Sequence, residues 1–331
     1  MPKPLTRIRW GIIGCGDVTE LKSGPAFYKC EGAELVAVMR RNAAKAADYA
    51  RRHNVPRWYD NADELIDDPA VDAVYVATPP GSHEEYTLKA ARAGKPVYVE
   101  KPMARSHAEC ERMVEACAAA GVPLFVAYYR RRLPIFLKVK ELVESGAIGA
   151  VRFANISLYQ PPSQQERNPA DLPWRVRPEL SGAGLFFDLG SHQLDYLDYL
   201  LGPIEMAQGQ FANQANLYPA EDIVSASFRF ESGVLGSGIW CFTVSEANRR
   251  EHTELVGDKG AITFSSFNLD APVRLETARG TEEIALPPPA HVQQPLIQSI
   301  VDQLRGQGQC PSTGITAART GRVLDQILGR S

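Results

Sequence analysis

The sequence has no apolar run of eighteen residues, so nothing in it reads as a membrane-spanning helix. Its first residues, Met1 to Arg7, lack the apolar core of a secretory leader and run straight into a strand-like segment, which makes the cytoplasm the expected location. Paired cysteines are missing too. Cys15, Cys30, Cys110, Cys117, Cys241 and Cys310 are scattered, with no C-x-x-C and no histidine at metal-ligand spacing, which excludes a disulfide scaffold and a zinc site and reads as six reduced thiols. There is little excess of either charge: 36 Lys and Arg stand against 39 Asp and Glu, a net charge of -3. Such a balance gives no overall pull toward nucleic acid or an anionic membrane, and small molecules are the expected partners. Internal repeats and low-complexity tracts are also absent.

What remains is an ordinary globular composition, with 44% hydrophobic and 23% charged residues, enough to fill a large core. A chain of 331 residues exceeds what one core usually organises, and two domains are expected. From Ile8 to about Ala127, short apolar runs (Trp10 to Ile13, Leu35 to Met39, Ala73 to Ala77, Val97 to Val99, Leu124 to Ala127) alternate with helical patterns such as Ala43 to Arg52 and Glu84 to Ala93. Ser106 followed by Glu109 marks a further helix start. This alternation predicts a doubly wound α/β domain with a parallel sheet over residues 1–127. After a helix at Pro134 to Glu144 the pattern changes to β-runs joined by tight turns. Ile223 to Phe230 pairs with Val234 to Trp240, Glu251 to Val256 with Ala261 to Phe264, and Val273 to Thr277 with Glu282 to Leu286. Residues 128–331 are therefore expected to form an α+β domain with a largely antiparallel sheet. Two closing helices, Leu296 to Leu304 and Thr316 to Leu328, are candidates to pack back on the first domain.

Arg9-Trp-Gly-Ile-Ile-Gly-Cys-Gly-Asp-Val-Thr19 sets Gly14 and Gly16 directly after the first strand. There a dinucleotide pyrophosphate needs main-chain N–H groups and no side chain in its way, so Gly14, Cys15, Gly16, Asp17 and Val18 are the candidate phosphate loop. Thr19 stands where the fingerprint has its third glycine, which predicts slightly wider packing of helix on strand. The alternative is a tight turn that binds nothing. The second strand ends in Arg40-Arg41 and not in the acid that would bond a ribose 2′-OH. Two guanidiniums suit a 2′-phosphate, so NADP(H) is the predicted cofactor, with NAD(H) as the alternative and a solvated basic loop as the bland reading.

Three further segments, Thr78-Pro-Pro-Gly-Ser-His83, Glu100-Lys-Pro102 and Gly182-Ala-Gly-Leu-Phe-Phe-Asp-Leu-Gly-Ser-His192, resemble the Gfo/Idh/MocA family of sugar and cyclitol dehydrogenases over nearly the whole chain. The resemblance implies a Rossmann domain followed by an α/β domain with a large open antiparallel sheet, whose outer face commonly mediates dimers or tetramers, and an active site between the domains. It also implies catalytic roles for Lys101, Asp188 and His192, and cofactor contacts from Thr78, Pro79, His83, Glu100 and Lys101. Trp174-Arg175 resembles a tryptophan-containing segment that lies near nicotinamide or substrate in relatives. Tyr128 to Arg131 resembles a segment of substrate- or cofactor-contacting residues, though Tyr-Tyr-Arg-Arg-Arg departs from the usual pattern; Tyr128, Arg131 and Tyr159 are the substrate-side candidates.

Interconverting an alcohol and a carbonyl needs a group that exchanges the hydroxyl proton and a donor that stabilises negative charge on that oxygen. Histidine as a side chain ordinarily exchanges protons near neutral pH, which makes His192 the more natural proton exchanger, with Asp188 four residues earlier on the same expected helix face to orient it, while Lys101 can polarise the carbonyl or act as the acid itself. The residues leave the division of labour between Lys101 and His192 open. Taken singly, Asp188 reads as a helix cap and His192 as a cap or core residue. His83 either touches the cofactor or caps the helix that follows it. His53 and His107 carry no signal, and Arg51-Arg52 and Arg130 to Arg132 read as solvated or phosphate-facing. The leading expectation is an oxidoreductase acting on a hydroxyl or carbonyl of a sugar, cyclitol or sugar derivative. The alternatives are a dihydrodiol or other non-sugar reductase, an NAD-assisted glycoside hydrolase, and a non-catalytic NADP-binding sensor.

Overall fold

A computed structural model describes residues 6–330. Part of the segment expected to carry no leader, Met1–Leu5, lies outside the described residues. The chain forms two units, one running to Arg132 and completed by Pro289–Ala318, the other comprising Leu133–Pro288 and the segment from Arg319 onward.

The first unit is built on six strands, β1 (Ile8–Ile13), β2 (Ala33–Met39), β3 (Arg57–Tyr59), β4 (Ala73–Val76), β5 (Val97–Val99) and β6 (Leu124–Val126). They lie in the order β3-β2-β1-β4-β5-β6 and every neighbouring pair is parallel. Strand order therefore reverses between β1 and β4, which opens a crevice at their carboxyl ends. Helices α1 (Asp17–Leu21), α2 (Ala26–Lys29), α3 (Ala43–Arg52), α4 (Ala62–Asp67), α5 (His83–Arg92) and α6 (His107–Ala119) occupy the crossovers. Helix α6 starts as the sequence predicts, Ser106 accepting the Glu109 N–H at 3.3 Å, but Glu109 reaches back to the N–H of Arg105 and not to that of Ser106.

Alternation along the strands sorts their side chains onto two faces. Val74, Val76, Val97 and Val99 join Met113 and Cys117 of α6 in one apolar layer. The opposite face is aromatic: ring centroids lie 5.0 Å apart for Trp10–Phe27, 5.1 Å for Phe27–Tyr75 and 4.8 Å for the stacked pair Tyr75–Tyr98.

The second unit opens with α7 (Pro134–Glu144) and holds eight strands: β7 (Val151–Tyr159), β8 (Ile204–Ala212), β9 (Ile223–Phe230), β10 (Leu235–Cys241), β11 (Arg250–Gly257), β12 (Gly260–Phe264), β13 (Val273–Thr277) and β14 (Gly280–Ile284). Their order is β14-β13-β12-β11-β7-β10-β9-β8, antiparallel throughout except for β7 with β10. Between β7 and β8 lie the short α8 (Pro178–Ser181) and then α9 (Ser191–Leu201); α10 (Gln294–Leu304) and α11 (Gly314–Ile327) close the chain. Strands β9 and β10 alternate strictly between buried and exposed positions. The sheet thus has one packed face, where Tyr196 of α9 meets Phe136 of α7 and Phe264 of β12 at 4.7 and 5.7 Å, and one open face. All six cysteines are free thiols, and among the described residues no helix is long and apolar enough to cross a membrane.

Candidate active site

In the first unit the residues singled out for the cofactor gather at the carboxyl edge of the parallel sheet. Gly14 follows β1 with φ +90°, a conformation that side chains rarely adopt, and a Cβ there would stand 2.7 Å from Thr78 Cγ2 and 3.1 Å from the Ala77–Thr78 main chain. This close approach presses the glycine loop against the loop after β4. At Gly16 the surroundings differ: a Cβ would find nothing nearer than the Gly14 carbonyl at 3.9 Å, so open space faces that position. The N–H groups of Gly14 and Cys15 are both taken by the Met39 carbonyl at the end of β2.

Thr19, in the place of a third glycine, is fully buried. Its hydroxyl donates to the Gly16 carbonyl at 2.7 Å and its own carbonyl accepts the Tyr49 hydroxyl at 2.8 Å, so the extra atoms are absorbed by hydrogen bonds inside the turn.

At the end of β2, Arg40 extends its guanidinium to the Cys15 carbonyl at 3.2 Å, a direct strap onto the glycine loop. Arg41 is exposed and has no ion-pair partner among the described residues. The next residue, Asn42, is committed to capping α3, accepting the Lys45 N–H at 3.0 Å, so no carboxylate occupies the chain between the end of β2 and α3. Burial pushes the Cys15 thiol up to about 11, keeping it protonated and inert. Behind the loop Glu20 is drawn down to about 2 by its bonds to Arg52, with His53 adding to the effect. The two arginines of Arg51-Arg52 are thereby engaged with Asp48 and Glu20 and not left as a basic patch.

The loop after β4 carries Thr78 and Pro79, with Ser82 donating to the Thr78 hydroxyl at 2.8 Å. His83 is completely buried. Its Nε2 lies 2.6 Å from the Thr78 carbonyl and its Nδ1 3.1 and 3.2 Å from those of Pro102 and Met103. The ring fastens the Thr78 loop to the segment containing Lys101, and burial pulls its pKa down. Lys101 and Glu100 follow β5 directly, the Glu100 N–H still in register with the Val76 carbonyl at 2.9 Å. Tyr128 and Arg131, after β6, are both nearly inaccessible, and Arg131 donates to the Pro311 carbonyl at 2.8 Å. Arg131 thus ties the returning segment 289–318 to its own unit.

In the second unit Asp188 and His192 lie close in sequence but not on one regular helix. Phe186–Gly190 forms a single π-turn and α9 begins only at Ser191, so the expectation of two residues on one α-helical face needs correction. The wide turn is a local departure of a kind that frequently marks function. It is possible because Gly190 has no side chain: a Cβ there would come within 2.8 Å of the Phe186 ring, which itself packs edge-on against Trp240 at 4.8 Å. Gly190→Ala is expected to destabilise the protein by about 1–3 kcal/mol, the usual cost of overpacking, as read from the shift in urea midpoint.

Asp188 is 5% exposed and accepts from Arg175 Nε at 3.1 Å, while the Arg175 guanidinium lies 4.6 Å from the centre of the Trp174 ring. Trp174-Arg175 and Asp188, three residues the sequence singled out, are thereby brought together. Neither of the two helix-cap readings holds: Asp188 sits inside the π-turn, and His192 is the second residue of α9.

His192 is 4% exposed and meets the Phe267 ring edge-on at 6.2 Å. Around it stands a set of residues without any sequence signal. Gln193 accepts from Trp240 Nε1 at 2.7 Å; Glu251 accepts the N–H groups of Ser266 and Phe267 at 2.9 and 3.4 Å and the Ser265 hydroxyl. The Phe267 main chain is therefore held by a carboxylate sixteen residues away, on β11. Tyr159 ends β7 beside Cys241 of β10, and Gln160 donates to the Cys241 carbonyl at 2.8 Å. From there the chain lines a cavity of about 540 Å³ with Gln160, Ser163, Arg167, Leu185, Phe242 and Ser245. Leu185 belongs to the glycine motif that leads to Asp188, so this polar cavity adjoins the Asp188 turn.

A parallel sheet with a glycine loop at its switch point, followed by a unit with an open eight-stranded sheet, an Asp in a π-turn and a His at the start of the helix after it, agrees with two matches in the sequence. Residues 8–128 match the oxidoreductase family with the NAD-binding Rossmann fold, and residues 136–263 match the Gfo/Idh/MocA C-terminal domain. The chain belongs to the Gfo/Idh/MocA family. It is 40% identical to oxidoreductase P35 of Formosa agariphila over 98% of this chain and 99% of that protein. It is 30% identical to 1,5-anhydro-D-fructose reductase of Ensifer adhaerens, over 92% and 91% of the two chains. A levoglucosan dehydrogenase solved with NADH and levoglucosan shares the fold with a TM-score of 0.86 at 22% identity, over 98% of this chain and 97% of that one. As a member of the Gfo/Idh/MocA family the protein is an NAD(P)-dependent oxidoreductase.

Proposed function

We propose that this oxidoreductase uses NADP(H) to interconvert a hydroxyl and a carbonyl on a sugar, cyclitol or sugar derivative, with Lys101, Asp188 and His192 as its catalytic residues. The observation that carries the cofactor choice is the end of β2, where Arg41 is exposed with no ion-pair partner among the described residues and residues 40–42 supply no carboxylate to bond a ribose 2′-OH or repel a 2′-phosphate. Gly14 and Gly16 fit the pyrophosphate: the first lets two loops meet, the second leaves room where a phosphate approaches. The dinucleotide role falls to residues 1–127, with Cys15, Asp17, Val18, Arg40, Thr78, Pro79 and Glu100 beside the glycines, and the substrate and assembly role to residues 128–331, although 128–132 and 289–318 of that stretch pack with the first unit.

A dinucleotide held there would supply hydride-transfer chemistry. Lys101, at the carboxyl end of β5, donates a hydrogen bond to the reacting oxygen and stabilises its charge. His192 exchanges the hydroxyl proton, and Asp188, clamped by Arg175, orients and polarises it. The polar cavity beside Leu185 suits a polyhydroxylated ligand, and 1,5-anhydro-D-fructose reductase and levoglucosan dehydrogenase among the relatives support a sugar as substrate. The six free thiols accord with a reducing, cytoplasmic setting.

Tryptophan-fluorescence titration with NADPH and NADH, followed by an absorbance screen of NADPH oxidation and NADP reduction with 1,5-anhydro-D-fructose, levoglucosan, myo-inositol and common aldoses, tests the reading. Tighter NADPH binding with stoichiometric turnover is the expected result. A preference for NADH overturns the cofactor assignment; product without net cofactor change points to hydrolysis, and binding without product to a sensor.

A homodimer or homotetramer is part of the same proposal. On the open face of the eight-stranded sheet Phe153, Met206 and Leu235 are exposed, Leu235 by 58% and Met206 by 55%, around a shallow, mainly apolar cavity of about 450 Å³, and Ile239 is exposed further along β10. A contiguous apolar face of this kind is rare on a monomer, and a second copy covers it. Leu235→Asp, which buries a charge in such an interface, is expected to give a monomer by light scattering while the isolated chain keeps its circular dichroism.

A further inference from the structure

Glu100, counted above with the dinucleotide residues, is a buried carboxylate that turns both oxygens to protein partners. It is 8% exposed and forms no ion pair among the described residues. Instead its Oε1 accepts two short hydrogen bonds, from the Tyr75 hydroxyl at 2.5 Å and from Gln293 Nε2 at 2.6 Å, and its Oε2 accepts the main-chain N–H of Lys101 at 3.2 Å. Gln293 is 1% exposed, and its amide orientation is fixed from the other side because Tyr98 donates to its Oε1 at 2.7 Å. Its own N–H is anchored on the Lys22 carbonyl at 3.2 Å, and it stands as the N-cap residue of α10. Tyr75 is held in turn by Ser23 at 3.1 Å. Burial drives both phenols well upward, so they act as permanent donors.

A carboxylate buried without a cation costs stability even when hydrogen-bonded. An apolar residue would serve the core better, so the network is retained for what it holds. What it holds is the peptide N–H at the point where β5 ends and the Lys101 side chain departs. We propose that Gln293, with Tyr75, is a positioning residue: by locking Glu100 it fixes the Lys101 main chain, and hence the origin of the lysine side chain. This rests on the reading of Lys101 as catalytic.

The test uses the full-length protein. In Gln293→Met, the peptide carrying the Lys101 N–H should exchange hydrogen for deuterium about 10-fold faster, kcat should fall about 10-fold on the best substrate of the screen, and the Kd for NADPH should stay within about 2-fold, the scale of losing one hydrogen bond to a charged group. The reciprocal pair Glu100→Gln with Gln293→Glu restores a donor and an acceptor between the two residues and leaves an amide oxygen for the Lys101 N–H, with the Tyr75 hydroxyl donating to Ser23 instead, and is expected to restore slow exchange and kcat. Unchanged exchange in Gln293→Met overturns the proposal, as does a double variant that regains its melting temperature but not slow exchange. Lys101→Met separates the two readings. If it lowers kcat about 10³-fold and leaves a measurable residual rate, Gln293→Met should add no further loss in that background, and an equal additional loss shows that Gln293 acts elsewhere. If Lys101→Met leaves kcat unchanged, the catalytic reading fails while the exchange measurement still decides whether Gln293 holds the peptide.

Discussion

Lys101→Met is expected to lower kcat by about 10³-fold while leaving the Kd for NADPH within about 3-fold, the signature of a group whose contribution appears in the transition state and not in cofactor binding. Methionine keeps the length and most of the volume of lysine, so the end of β5 and the Glu100 contacts are retained. The measurement is single-turnover oxidation of NADPH beside a fluorescence titration. A rise confined to KM would assign Lys101 to substrate binding alone, and a Kd that rises in step with the fall in kcat would make it a cofactor ligand. Asp188 and His192 provide the control, because a group that only orients the proton exchanger should cost less than the exchanger itself.

The second large effect concerns the cofactor. Arg41→Asp is expected to lower the ratio of kcat/KM for NADPH over NADH by about 100-fold, since it removes a charge-assisted donor worth about 1.5–3 kcal/mol and places a like charge beside the 2′-phosphate. Arg41 is the residue to change, and not Arg40, because the Arg40 guanidinium is also bonded to the Cys15 carbonyl. An Arg40 variant would loosen the glycine loop and weaken both dinucleotides, confounding specificity with structure. If Arg41→Asp weakens both cofactors equally, Arg41 contacts a part they share, and the 2′-phosphate assignment falls.

The strands of the parallel sheet were readable in the sequence wherever they are buried on both faces. Val97–Val99 and Ala43–Arg52 appear with the boundaries that their patterns predict, and the other central strands differ by a residue or two at their ends. β3 escaped because its three residues sit at the sheet edge and are mostly exposed, leaving no apolar run to find. β7 and β8 escaped for another reason. Neither is joined to its neighbour by a short turn in the way that β9 is joined to β10, and β7 lies parallel to β10 in the middle of the sheet, an arrangement that no hairpin announces.

For the site, glycines and their spacing marked the loop after β1, because backbone sterics leave a trace in the local sequence, whereas Asp188 and His192 were singled out by the family resemblance of the run from Gly182 to His192. The π-turn left none. Gln193, Glu251 and Phe267 around His192 were equally silent, since their roles come from contacts between distant strands. His83 carried a signal whose meaning only the structure resolves: its nitrogens face three main-chain carbonyls inside the unit.

The return of residues 289–318 to the first unit also bears on how the chain is made. Synthesis delivers Tyr75, Tyr98 and Glu100 long before Gln293, which lies 193 residues beyond Glu100. A nascent chain emerging at roughly 5–20 residues per second must wait on the order of 10 seconds or longer for the amide that closes this network. During that interval the whole eight-stranded sheet leaves the ribosome, so the dinucleotide unit, first to begin folding, is not the first to be finished.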